Sequence, residues 1–295
     1  MIITKYTNGN ANITLEDSGT RTIEYEDSLK LDYPLNIDIR VSTKCAFGYN
    51  PNTKKAFCNF CHESARTDGL DCDYPSLAEK LEELPKGIEL AIGANELTFK
   101  LWEFLIWCKA KRFICNLTIN QGHIARDLRQ IKNAIDFNLI KGLGISYRSG
   151  LKFNIPEQLL DYPNTVFHVI SGIDTIQEIS DLAEKGVKKI LILGEKDFGF
   201  NQGNVDLTAQ KHKEWFWKVS TLFDKFKVVS FDNLALQQLN IKRFFQNEDW
   251  NTFNQGEYSF YINAVEQYFA PSSRSADRTD WNNISIKDYF KQVIK

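Results

Sequence analysis

Short runs of alternating apolar and polar residues recur along most of the chain, and each is followed by a stretch patterned for a helix. In "LNIDIRV" (35–41), Leu35, Ile37, Ile39 and Val41 share one face and Asn36, Asp38 and Arg40 the other. "GIELAIG", "FICNLTIN", "GLGISYR", "TVFHVIS" and "KKILILG" read as further strands. Between them lie helical patterns such as "ELTFKLWEFLIWCKAK", "IARDLRQIKNAIDF" and "TIQEISDLAEKG". About six strand and helix units in succession imply parallel β/α winding. Ahead of them, β-type runs broken by "NGN" and "DSG" predict a small hairpin extension over residues 1–34. The winding accounts for residues 35–233. Residues 234–295 read as an irregular C-terminal extension packing on this core, with a strand at "EYSFYINAV", a loop at "SSRSADRTD" and a last helix around "IKDYFKQVIK".

Both an open doubly wound sheet and a closed or partial barrel produce this alternation. Parallel strands covered by helices on both faces read as nearly continuous apolar runs. Here Asp38 and Arg40, then Asn116, Thr118 and Asn120, then Ser146 and Arg148, then His168 place polar groups on successive strands. Too many strands carry such a face for all of them to be sheet edges. The fold expected is therefore α/β, a partial (β/α)6 TIM-like barrel whose lumen receives the polar side chains.

Composition narrows the picture. With 36 basic and 38 acidic residues, no global field draws the chain to nucleic acid or anionic lipid. The start "MIITKYTNGN" lacks a signal-peptide pattern and no apolar run reaches membrane-spanning length, so a cytoplasmic protein without membrane partners is expected. In that reducing setting the 6 cysteines are expected as thiols, and closely spaced ones point to metal or redox chemistry.

"STKCAFGYNPNTKKAFCNFCHES" gathers Cys45, Cys58 and Cys61 just after the first strand of the winding. A structural zinc site closes four ligands. His62 sits awkwardly next to Cys61, and Cys72 stands in a plain loop, so the zinc reading is incomplete. A four-iron cubane uses three thiolates and leaves one iron for a ligand. With Phe60 before the last cysteine of "CNFC", the segment resembles the radical S-adenosylmethionine (radical SAM) superfamily, whose motif ends Cys-x-aromatic-Cys. Twelve residues separate Cys45 from Cys58 where the family usually has three; a surface-loop insertion adds little closure entropy. "GANELT" is similar to the family's Gly-Gly-Glu segment through Gly93 and Glu96, and "TINQG" to its Thr-Asn-Gly ending through Asn120 and Gly122.

The resemblance implies a 4Fe-4S cluster on Cys45, Cys58 and Cys61 with S-adenosylmethionine on the open iron. It further implies reductive cleavage to a 5′-deoxyadenosyl radical that takes hydrogen from a small or nucleotide-like substrate, with a flavodoxin or ferredoxin as reductant. Phe60, Gly93, Glu96, Asn120, Ser146 and Arg148 would hold the cofactor, and Asp38, Arg40 and His168 would serve substrate chemistry. Short strings such as "CNFCHES" also resemble compact phage-type members.

Plainer readings stand beside these. Glu96 could begin a helix, Ser146 could be an ordinary strand residue, Arg148 a surface group, and His168 a hydrogen-bonded core histidine. His123 and His212 are expected to face solvent, and Cys108 and Cys115 to be buried thiols. A zinc-stabilised binding or regulatory protein, and a 7-carboxy-7-deazaguanine synthase-like radical SAM enzyme, remain the alternative functions.

Overall fold

The structure, a computed structural model, describes residues 1–246 and 258–293. It opens with β1 (Ile2–Asn8), β2 (Ala11–Glu16) and β3 (Arg21–Tyr25), a three-stranded antiparallel sheet with its own small core of Ala11, Ile13 and Leu35. The main sheet starts at β4 (Asn36–Arg40). A short strand outside it, β5 (Lys44–Tyr49), follows, and then α1 (Tyr74–Leu81).

Strand and helix next alternate: β6 (Glu89–Asn95), α2 (Phe99–Lys111), β7 (Ile114–Asn120), α3 (Ile124–Asp136), β8 (Gly142–Ser146), α4 (Glu157–Leu160), β9 (Thr165–Ile170), α5 (Ile176–Glu184) and β10 (Lys189–Leu193). After α6 (Gln210–Lys218) come β11 (Val228–Phe231) and α7 (Asn233–Gln238). The C-terminal segment supplies β12 (Ser259–Asn263), β13 (Tyr268–Ala270), β14 (Thr279–Asp280) and the last helix, α8 (Ile286–Val293).

Local chemistry sets several of these boundaries. Thr98 caps α2 by accepting from the Leu101 N–H, so this helix begins after Glu96, and Arg112 ends it in the left-handed conformation. Thr175 and Glu178 form a reciprocal capping box at α5.

The main sheet has ten strands in the order β11-β10-β9-β8-β7-β6-β4-β12-β13-β14. From β11 to β12 every pairing is parallel; β13 and β14 add antiparallel. From β4 to β11 each new main-sheet strand lies beside the previous one, with none of the reversal that defines a doubly wound sheet. Right-handed crossovers moving steadily in one direction lay their helices on one face. Ile37, Ile92, Leu117, Ile145, Phe167 and Ile190 line that face, all buried in one core with Leu101, Ile131, Ile179 and Trp215 of the helices. Each such burial stabilises by about 1.5–3 kcal/mol.

The opposite face carries Asp38, Arg40, Gly93, Asn116, Thr118, Gly144, Ser146 and His168. Lys196, just past β10, donates to Ser273 between β13 and β14 at 3.1 Å. In a flat sheet, seven strand spacings of ~4.8 Å would put these regions about 33 Å apart. The sheet therefore curls around its polar face, leaving a concave chamber there.

The C-terminal segment departs from the expected irregular extension. β12 pairs in parallel with β4, so residues 259–263 belong to the sheet itself. A pattern scan sees a lone strand; only the fold reveals its neighbour, more than 200 residues earlier in the chain. At the other end of the strands, Arg21 of β3 forms an ion pair with Glu89 of β6, and Asn164 donates to the Asp17 carbonyl. The small sheet is thereby attached at the N-terminal end of the main-sheet strands. Among the described residues no helix is long and apolar enough to cross a membrane.

Candidate functional site

The three cysteines lie in one region beyond the C-terminal end of β4, near enough for the Cys58 and Cys61 charges to act on Cys45. The long insertion is a hairpin: Asn50 pairs with Lys55, and the Phe57 and Cys58 N–H groups donate to the Phe47 carbonyl at 3.2 and 3.3 Å. This folding back returns Cys58 to the neighbourhood of Cys45. A tight turn follows, with the Cys61 N–H donating to the Cys58 carbonyl at 3.2 Å. The expected outward excursion between the first two cysteines is thus an ordered ladder.

Nearby N–H groups favour the charged form of each sulfur: those of Phe47 and Gly48 at Cys45, the Arg148 guanidinium at Cys58, and those of Ala65 and Glu63 at Cys61. Burial nevertheless dominates, raising the Cys45 thiol to about 11 and the other two above their ordinary value. The Cys58 and Cys61 charges add to the rise at Cys45. Three desolvated thiols with N–H donors already in place suit thiolates neutralised by a soft metal centre. Cys72 stands apart, raised to about 12 by burial and the neighbouring Asp71 charge, and Cys108 and Cys115 are buried beside each other. No group of three or more His, Cys, Asp or Glu side chains is gathered tightly enough to hold a metal ion among the described residues.

Two aromatic contacts surround the thiols. Arg148, half-buried, lays its guanidinium over the Phe60 ring at 4.6 Å while bonding Cys58, so one cation ties the hairpin end to β8. His123 is buried, its Nε2 3.8 Å from the Cys45 sulfur and its ring 5.1 Å from Phe47. His212 is also buried, 2.6 Å from the Glu195 carboxylate. Both histidines were expected in solvent. Their polar sequence surroundings concealed that the first turn of α3 and the first turn of α6 face inward.

The other candidates occupy graded positions. Gly93 pairs in register with Arg40, and a methyl group added to it would meet only the Ile39 carbonyl, at 3.7 Å. Neither packing nor backbone conformation requires glycine there; its absent side chain leaves room at the chamber wall. Glu96 is buried and holds Arg126 at 2.7 Å, which also binds Asp127. Asn120, Ser146 and His168 lie side by side across three strands, and the Asn120 side chain accepts from the Gly122 N–H at 2.9 Å.

Arg40 is committed to Glu63, its Nε 2.8 Å from the carboxylate, with Glu266 at 3.9 Å. Burial opposes the Glu63 charge, but His62 and Arg40 outweigh it and draw this carboxyl down to about 2. His62 in turn lies 3.2 Å from Lys196. Desolvation lowers His168 to about 4, so it is neutral at ordinary pH. Its ring stands so close over Gly144 that a methyl there would lie 2.8 Å from Cε1. Asp38 is open to water yet walled in by protein, and burial raises its carboxyl against the pull of Lys196.

The structure therefore groups Cys45, Cys58, Cys61, Phe60 and Arg148 at one rim, and Asp38, Arg40 and His168 inside the chamber. Sequence patterning placed His123 in solvent and did not single out Glu63 or Lys196. Asp174, buried with Oδ2 lacking a hydrogen-bond partner and its charge felt at Cys58, was equally silent. No family model matches the chain, and comparison with curated proteins finds no match.

Proposed function

We propose that the chain is a radical SAM enzyme built on an incomplete β/α barrel. The observation that carries this reading is that Cys45, Cys58 and Cys61 lie in one region past the first strand of a singly wound parallel sheet, near enough for the Cys58 and Cys61 charges to act on Cys45. Active sites of parallel barrels lie at that end of the strands. The sulfur donor set fits an iron–sulfur cluster, with Cys45, Cys58 and Cys61 as its ligands.

A bound cluster with S-adenosylmethionine would supply the electron and the radical that removes hydrogen from substrate. The chain's own groups have simpler tasks. Arg148 orients the Cys58 sulfur and carries its positive charge to the rim, while Phe60 shields it from water. The space beside Gly93 would admit the cofactor's methionyl portion. Glu96 accepts from a cationic amine, with Arg126 holding its carboxylate in place. Ser146 and Asn120 border the nucleoside side of the rim, and the chamber below receives substrate.

The test is anaerobic reconstitution, with iron and zinc analysis and EPR of the reduced protein with and without S-adenosylmethionine. About four irons per chain, a signal altered by S-adenosylmethionine, and loss of iron in Cys45→Ala are expected. Stoichiometric zinc without iron uptake overturns the reading. It would favour the zinc-stabilised alternative, for which the nearness of His123 to Cys45 offers a fourth donor.

A further inference from the structure

The charged groups of the chamber are unequally matched. Arg40 is held by Glu63 at 2.8 Å. Lys196 is held by His62 and Ser273 at 3.2 and 3.1 Å. Arg278 lies 3.6 Å from Glu266 and stacks over Tyr268 at 4.7 Å. Asp38 alone among these carboxylates has neither a hydrogen bond nor an ion pair with any of the described residues, although its side chain is open to the chamber.

Neither neighbour that could donate is turned toward it. On one side stand Ala91 and then Asn116, whose amide turns toward Glu89 at 3.4 Å; on the other stands Tyr261. A carboxylate walled in by protein and left without partners favours its neutral form, and a bound donor restores the ionised one. The small side chain of Ala91 leaves room beside Asp38 for a planar nitrogen group, while the Asn116 side chain lies over Gly142 and closes the far side of that space.

We propose that Asp38 determines substrate specificity by accepting from a cationic or amidine-like nitrogen group, N–C–N donors matching its two oxygens. The substrate class is thus one bearing an amine, guanidine or amidine edge at the chamber wall. An anionic group is disfavoured there, since the chamber's cations are already engaged. This inference rests on the chamber being the substrate site, but not on any cluster being loaded.

Benzamidine and methylguanidinium are titrated into the full-length chain and followed by saturation-transfer NMR, with inorganic phosphate as the anionic control. Unfolding midpoints of wild type and Asp38→Asn are measured without probe. Both cationic probes are expected to bind wild type and to weaken at least about tenfold in Asp38→Asn, as loss of a charged partner implies. The Asp38→Asn midpoint should rise by about 2 °C, because an unpaired charge walled in by protein has been removed.

Lys196→Met, which removes the cation acting on Asp38, should tighten both probes several-fold and serves if Asp38→Asn fails to fold. Equal probe binding in wild type and Asp38→Asn, preference for phosphate, or a lowered midpoint overturns the proposal. The last outcome would make Asp38 a structural partner of Lys196. None of these readouts uses iron or S-adenosylmethionine, so failure of the cluster assignment leaves a different signature from failure here.

Discussion

At the scale of single residues, burial decides what the polar groups of the chamber can do. His168 has no charged partner, and desolvation takes it from 6.5 down to about 4. The unfolded chain therefore takes up a proton that the native state refuses as pH falls between those values. Stability from this residue is fully present above pH 6.5, is lost as pH falls toward about 4, and then levels off. His168→Gln should reduce the stability lost across that window by roughly 2 kcal/mol, measured by urea unfolding at its two ends. An unchanged loss in the variant would mean the imidazole is solvated. Arg148 tests a different residue-scale claim. Arg148→Lys keeps the charge but not the planar fork over Phe60. After reconstitution it should retain iron while the EPR signal shifts, whereas an unchanged spectrum would remove Arg148 from the sulfur environment.

At the scale of elements, ladders and caps turn a weak sequence pattern into a definite shape. Twelve residues between Cys45 and Cys58 look like a loop, yet the ladder through Phe47 and the Asn50–Lys55 turn bring the thiols back together. The small N-terminal sheet is likewise joined to the main one by charge. Arg21 meets Glu89, whose carboxylate also accepts from Asn116. Arg21→Ala leaves that carboxylate half-buried without its cation, and should lower unfolding free energy by about 1–3 kcal/mol in urea titrations. Glu89→Gln added to Arg21→Ala should recover part of the loss. If the double variant is no better than the single one, packing of the small sheet, rather than the ion pair, dominates this junction.

For the whole molecule, contacts across the polar face hold the sheet in its curled shape. Contacts between Lys196 and Ser273, and between Arg278 and Phe198 at 5.9 Å, join regions near opposite ends of the strand order. Arg278→Ala should therefore raise hydrogen exchange together in residues 196–204 and 271–278, with little change in β7 and β8 at the centre of the sheet. A rise in only one segment would show that the two ends are not coupled.

The sequence by itself determined the alternation of strand and helix, the small N-terminal β sheet, the polar face of the strands and the grouping of three cysteines. These are local: period-two patterning, turn residues and close spacing act within a few residues. Tertiary structure decided the rest. The singly wound order, the parallel partnership of β12 with β4, the burial of His123 beside Cys45, and the commitment of Arg40 to Glu63 all depend on contacts between distant segments. Asp38 shows the division most plainly. Its residue type and its face could be read from "LNIDIRV", but its lack of a partner depends on how Lys196, Tyr261 and Asn116 are arranged around it once the sheet curls.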